Sequence, residues 1–298
     1  MKLEQFQQYR PLLFSIAYRM LGTVTEAEDV LQDAYLRVQG RSDETIENPK
    51  YYLTTVVTRL CLDQLSAAKK QRELYVGPWL PEPMLTENQI DVVNPMDETI
   101  KDESISIAFL VLLENLSPAE RAVFILHEVF DYKFGEIAEI LDKRTDACRQ
   151  LFRRAKQHIS ENRPRFETNP EQHQRLLHSF IEVVELGEVE AFLQLLAEDV
   201  TFVPDGGGER GAAIRVLRGR EAVASFIFGV QKIAPTDLRY DVAILNGQPA
   251  ILVRMTDGQP FFVVFLYYKN ETVNLVHVIA GRKLSPLTRQ LMVTHKTR

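Results

Sequence analysis

The chain has 298 residues, with 35 lysines and arginines against 41 aspartates and glutamates, for a formal net charge of −6. That length suits about two domains, with room for three small ones, and an apolar fraction of 45% allows ordinary globular cores. Net acidity excludes a protein that coats nucleic acid through bulk charge. Contact with phosphates must come from local basic patches, or from a partner that carries the positive surface.

Residues 1–75 read as wholly helical. Phe6, Leu13, Ile16, Ala17 and Met20 form the apolar stripe of a first helix. Thr25 with Glu28 has capping-box spacing and opens EAEDVLQDAYLRV. Asn48-Pro49 supplies an N-cap followed by proline at the first helical position, predicting a helix from about 50 to 73. Residues 76–104 change texture: Gly77-Pro78-Trp79-Leu80-Pro81-Glu82-Pro83 favours an extended path, and acidic residues follow. This segment is a linker, yet it holds the chain's single tryptophan.

Residues 105–165 read as helix, turn, helix, turn, helix. Ser117, Pro118 and Glu120 make a capping box with proline at the first helical position. A second helix spans Phe134 to Leu141, Asp142 to Arg144 is a polar break, and Thr145 is placed to cap the next helix. There Cys148, Leu151, Phe152, Ala155 and Ile159 recur at helical spacing and leave Arg149, Gln150, Arg153, Arg154 and Lys156 outside. A basic helix after a short helix and a tight turn is the pattern of a helix-turn-helix reader of the major groove.

Residues 170–298 change pattern again. Helices are expected near 171–186, 188–197 and 220–232. Strands are expected at TFVP, near 213–218, and at 238–245, 250–256, 260–269 and 272–280. The last four are separated by Asn246-Gly247, Asp257-Gly258 and Asn270-Glu271, the first two being strong hairpin signals. Helices followed by an antiparallel meander predict an α+β domain with helices on one face of a curved sheet. Cys61 and Cys148 lie on apolar stripes and read as core residues rather than ligands or a disulfide. The strongest late apolar run, Phe261 to Tyr268, is strand length. A cytoplasmic protein without membrane contact, metal or cofactor is therefore expected.

The first two modules resemble bacterial extracytoplasmic-function (ECF) sigma factors of the sigma-70 superfamily. EAEDVLQDAYLRV looks like region 2.2, YYLTTVVTRLCLDQL like regions 2.3 and 2.4, and the 116–159 stretch like region 4. The resemblance extends to the SigJ-like (ECF41) subgroup with a fused C-terminal SnoaL-like domain. That group carries a WLPEP linker motif, here Trp79, Leu80, Pro81, Glu82 and Pro83, and a DGGGK motif, here Asp205, Gly206, Gly207, Gly208 and then Glu209 in place of lysine. The group's tail motif NPDKL is absent as such, and Arg282-Lys283-Leu284-Ser285-Pro286-Leu287 occupies its place. The implied fold is multidomain: two all-α DNA-binding domains, sigma-70 regions 2 and 4, then an α+β NTF2-like (SnoaL-like) cone.

The resemblance implies a factor that binds core RNA polymerase, recognises −10 and −35 promoter elements and initiates transcription. It implies docking on polymerase by Glu28, Asp29, Gln32, Asp33 and Leu36, which can share one side of a helix. For the −10 element the candidates are Tyr51, Tyr52, Arg59, Asp63 and Gln64, with Lys69, Lys70 and Arg72 on phosphates. For the −35 element they are Arg149, Gln150, Arg153, Arg154 and Lys156. Trp79 to Pro83 and Asp205 to Gly208 form a candidate intramolecular regulatory interface. Asp205, Asp241 and His277 are the acid–base candidates of the last domain, and no pair among them stands out. Two other readings stay open: a DNA-binding regulator that senses a small ligand in the C-terminal pocket, and a bifunctional protein whose last domain is an isomerase- or cyclase-like enzyme.

Overall fold

A computed structural model describes residues 3–39, 46–72, 77–86, 105–162, 169–207 and 215–296, without the side chains of 68–72 and 293–296. The chain divides into two compact units. Residues 1–74 and 86–163 form the first; residues 75–85 and 164–298 form the second. The linker motif thus packs with the C-terminal domain, although in sequence it joins the two helical modules.

The first unit is all helix. Helix α1 (Leu3–Leu21), α2 (Val24–Val38) and α3 (Pro49–Arg72) pack together over Leu13, Ile16, Ala27, Leu31, Leu53 and Val57, all buried. Gly22 at φ 76° ends α1, and Thr23 then caps α2, accepting from the Glu26 amide at 3.4 Å. The expected Thr25–Glu28 box is displaced by two residues, because Gly22 ends α1 and leaves Thr23 extended at the N-cap; Glu28 pairs with Arg10 instead. Asn48 caps α3 through the Tyr51 amide at 3.1 Å, as its sequence predicted.

Helix α4 (Ile107–Glu114) and α5 (Pro118–Phe124) follow, and α5 starts with the predicted Ser117–Glu120 capping box. It runs into a π-helical turn, Ile125–Val129, that the periodicity did not announce. Helix α6 (Phe134–Leu141) ends at Asp142, left-handed at φ 51°, and α7 (Thr145–Asn162) begins at Thr145 itself. Val123, Phe124, Ile137, Cys148, Leu151 and Ala155 fill the core between them. Both cysteines are buried and unbridged.

In the second unit, α8 (Pro170–Leu186) and α9 (Val189–Leu195) precede β1 (Leu196–Asp205), the short β2 (Leu217–Arg218) and α10 (Arg220–Gln231). The meander β3 (Arg239–Leu245), β4 (Gln248–Arg254), β5 (Pro260–Lys269) and β6 (Thr272–Ala280) completes a six-stranded sheet among the described residues, in the order β2-β1-β6-β5-β4-β3. Only the β1–β6 pairing is parallel. Asn246-Gly247 and Asn270-Glu271 take positive φ at both turn positions, which matches the strand twist in a two-residue hairpin.

Alternation sorts the sheet into two buried faces. Phe202, Ile251, Val253, Val264 and Val276 join Phe180, Phe192 and Phe228 of the helices in one apolar core. Val263, Phe265, Tyr267, His277 and Ile279 have the opposite parity and are also buried. A 3₁₀ turn, Gly281–Leu284, packs on β5 and β6 and leads into α11 (Ser285–Lys296), a helix absent from the sequence expectation. Among the described residues no helix is long and apolar enough to cross a membrane.

Candidate nucleic-acid interface and linker clasp

In α2, Asp29, Gln32, Asp33 and Leu36 are exposed at positions i, i+3, i+4 and i+7, one continuous stripe. Leu36 keeps 51% of its surface open. Glu28, the fifth residue of the expected docking face, is half-buried against Arg10.

The −10 candidates on α3 are engaged by α6. The Tyr51 hydroxyl donates to a Glu139 carboxylate oxygen at 2.9 Å and to the Glu136 carbonyl at 3.2 Å. Desolvation, then the bond to Glu139, pushes the Tyr51 phenol up to about 12. Arg59 donates from Nε to the Ile140 carbonyl at 2.8 Å and from a terminal nitrogen to the Glu139 carbonyl at 3.0 Å. A guanidinium there adds donors to carbonyls in the last turn of α6, one of which also accepts the Asp142 amide, and faces the negative end of the helix dipole. Tyr52 is half-buried, Asp63 is exposed and Gln64 is half-buried. The side chains of Lys69, Lys70 and Arg72 lie outside the described residues.

The −35 candidates on α7 are all exposed, as the stripe required. Their surroundings separate them. Arg149 pairs with Asp146 at 2.8 Å and lies over the Phe134 ring at 6.0 Å. Arg154 reaches Glu120, the acid of the α5 capping box, at 2.9 Å. Lys156 sits 3.5 Å from Glu128 and over Phe152 at 5.5 Å. Gln150 and Arg153 make no hydrogen bond or ion pair among the described residues. Burial works to raise the Glu120 carboxyl, but the Ser117 hydrogen bonds and Arg154 outweigh it and hold it below the usual carboxylate range.

The second unit holds a strap, residues 77–85, clasped by polar side chains. Asp205, at the end of β1, accepts the Leu80 amide at 2.5 Å and the Lys283 ammonium at 2.6 Å on one carboxylate oxygen. Its other oxygen accepts the Gly207 amide at 2.9 Å. Lys283 also donates to the Leu80 carbonyl and lies 4.2 Å from the centre of the Trp79 ring. Further along, the Asn246 side-chain oxygen accepts the Met84 amide and the Asn246 backbone N–H donates to the Met84 carbonyl, both at 3.0 Å. Gln290 of α11 accepts the Leu85 amide at 2.9 Å. Leu80, Pro81, Glu82, Pro83 and Met84 are buried.

Lys283, Asn246 and Gln290 were not singled out by sequence. Asn246 reads only as a turn residue, and Gln290 lies on a helix no pattern announced. Lys283-Leu284 does keep the last two letters of the tail motif. The glycine run plays a part other than the one expected. Gly207, at φ 71°, faces the Ala280–Arg282 backbone so closely that a Cβ would lie 3.1 Å from the Arg282 amide nitrogen. The contact to the strap comes from Asp205, and Gly208 lies outside the described residues.

The acid–base candidates do not converge. Asp241 is held by Arg254 across the β3–β4 pair, at 2.6 and 2.9 Å. His277 is buried 5.2 Å from the Tyr267 ring, with Nδ1 unpartnered, and burial pushes it down to about 3. Among the described residues no cluster of histidine, cysteine and carboxylate groups could hold a metal ion.

Residues 5–71 match the family described as Sigma-70 region 2, and residues 106–159 match Sigma-70, region 4. The ECF RNA polymerase sigma factor SigJ of Mycobacterium tuberculosis is 37% identical over 251 residues, covering 83% of this chain and 80% of that protein. The chain belongs to the ECF RNA polymerase sigma factors. A second relative of this ECF factor, the probable ECF RNA polymerase sigma factor SigI of the same species, is 30% identical over 93% of this chain and 89% of its own. The crystal structure of Mycobacterium tuberculosis SigJ superposes with a TM-score of 0.72 at 31% identity, covering 96% of this chain and 99% of that one. The helical modules are thus sigma regions 2 and 4, and the C-terminal unit is an α+β domain, as the sequence predicted.

Proposed function

We propose that this ECF sigma factor binds core RNA polymerase, reads −10 and −35 promoter elements, and is controlled in cis by its SnoaL-like domain. The observation that carries the regulatory half is the strap. The segment that connects region 2 to region 4 is held by Asp205, Asn246, Lys283 and Gln290, all of the C-terminal domain. A domain that holds the connector of two DNA-binding modules sets how far they can separate, and its tether makes even a weak contact effective.

The engagement of Tyr51 and Arg59 by α6 supports the same reading. Both groups are assigned to an unstacked −10 base or its backbone, and neither can reach DNA while bonded to Glu139 and Ile140. Promoter binding then requires regions 2 and 4 to part, which the strap can restrain. On α2, the stripe Asp29, Gln32, Asp33 and Leu36 is the polymerase-docking face. The C-terminal pocket takes a small ligand rather than turning over a substrate. Asp205, its acid, is committed to the clasp, and Asp241 and His277 are placed elsewhere.

Transcription in vitro with purified core polymerase tests this. The full chain should support initiation, and the Asp29→Arg/Asp33→Arg variant should bind core polymerase at least tenfold more weakly through charge reversal at a basic partner. Unchanged affinity in that variant would remove α2 as the docking face.

A further inference from the structure

We infer that the cavity of the C-terminal domain binds an uncharged, largely apolar small molecule, and that its occupancy strengthens the clasp on the strap through Asp205. The inference rests on the cis-regulatory reading above and names its ligand chemistry. The cavity has a volume of about 550 Å³ and is walled by Phe180, Phe202, Phe226, Tyr240, Val253 and Phe262, among other apolar groups. That volume lies within the roughly 300–1,000 Å³ of small-molecule sites.

The wall chemistry selects the ligand. Among the described residues no lysine, arginine or histidine lines the cavity, and Asp205 is the one acid that does. Both Asp205 oxygens already accept hydrogen bonds, from Gly207 on one side and from Leu80 and Lys283 on the other. An ionised ligand would lose its hydration without gaining a counter-charge. Polar handles are the Tyr240 hydroxyl and Gln231, whose amide nitrogen donates to the Val184 carbonyl at 2.6 Å. They suit a ring system with one or two neutral oxygens. Ile233, 83% exposed, and Val230 give the wall an apolar rim.

The coupling follows from one strand end. Phe202, Pro204, Asp205 and Gly206 are consecutive or alternate residues of β1 and its exit, and all four line the cavity. Asp205 is at the same time the acceptor that fixes Leu80 and Lys283. A molecule packed against this wall favours the arrangement in which Asp205 holds the strap. By linkage, the closed clasp must favour the molecule by the same factor.

Two probes that share a ring system test the charge rule: N-phenyl-1-naphthylamine, which is neutral, and 1-anilinonaphthalene-8-sulfonate, which is anionic. Fluorescence titration of the full chain should show the neutral probe binding at least tenfold more tightly. Ala234→Trp, at the partly exposed mouth, should abolish that binding. Hydrogen exchange of the 77–85 peptide should slow when the neutral probe is bound to the unaltered protein. Lys283→Met, outside the cavity wall, should weaken the probe by at least about fivefold. Equal binding of both probes, or binding that survives Ala234→Trp, overturns the ligand assignment. Strap exchange indifferent to bound probe overturns the coupling, with no variant needed. Failure of the cis-regulatory reading looks different: the probe protects the strap, while transcription is the same with and without the C-terminal domain.

Discussion

Lys283 places a charge where a charge is expensive. Its side chain is 9% exposed and that of its partner Asp205 is fully buried, so each relies on the other, on the Leu80 backbone and on the Trp79 face. Removing one member of such a pair strands the other, at about 3–5 kcal/mol. Lys283→Met and Asp205→Asn should therefore each lower the urea midpoint of the C-terminal domain. The double variant should recover much of the loss, because no lone ion remains; two fully additive losses would show that the pair is not coupled. His277 gives the domain a pH dependence. Held down to about 3 by burial, it stays neutral in the folded chain while the unfolded chain takes up a proton near 6.5. Its contribution is fully present above pH 6.5 and declines as the pH falls from there toward 3, by about 2 kcal/mol at pH 5. His173, also lowered by burial against an opposing hydrogen bond to the Leu266 backbone, adds in the same direction. Urea midpoints between pH 7.5 and 5 should fall in the unaltered protein and fall less in His277→Phe. Parallel curves would mean that His277 titrates normally.

At the scale of elements, local signals carried far in some places and not in others. The Ser117 capping box, the Asn48 cap and the Asn-Gly hairpin each depend on atoms within a few residues, and the sequence showed them directly. The α2 cap lies two residues earlier than its pattern, at Thr23 directly after the positive-φ Gly22, while Glu28 pairs with Arg10. The π-helical turn after α5 was missed because it continues an apolar run without a side-chain cap of its own, and α11 was missed because it follows directly on a 3₁₀ turn, with no loop to mark its start. Lys283 and Asn246 were missed because their partners lie far away in sequence. On α7, the periodicity gave the exposed face correctly but could not rank the side chains on it. Geometry does: among the described residues Arg153 makes no bond, whereas Arg154 is tied to Glu120. Arg153→Ala should cost about 1–3 kcal/mol at a cognate −35 element, confined to one base position, if the guanidinium reads guanine. Arg154→Ala should act weakly on promoter affinity and, because the guanidinium is mostly exposed, change stability by only about 0–1 kcal/mol. Band-shift titrations over a set of single-base −35 variants separate the two. A uniform loss with Arg153→Ala would make it a phosphate contact.

At the scale of the whole molecule, the chain leaves the helical unit after α3, passes through the C-terminal unit as the strap, and returns before α4. Composition showed the linker and its tryptophan, but which domain held it depended on contacts made across roughly 120 to 200 residues of sequence. This route predicts opposite outcomes for two truncations. Ending the chain after Leu284 keeps Asp205, Asn246 and Lys283 but removes α11 and with it Gln290, the acceptor of the Leu85 amide. The strap then keeps its Trp79–Leu80 anchor and loses its hold at Leu85, so regions 2 and 4 part more easily and transcription should rise. Ending the chain after Arg165 removes every anchor. The strap then exposes Trp79, Leu80 and Met84, the two modules lose their fixed connector, and transcription should fall below that of the full chain. In vitro transcription with core polymerase, at matched concentrations of soluble factor, reads both. Trp79→Ala should follow the shorter truncation, since it removes the aromatic face from Lys283, and Asp205→Ala should move the same way. If all four proteins transcribe like the full chain, the clasp holds the linker without governing the factor, and the C-terminal domain serves some end apart from initiation.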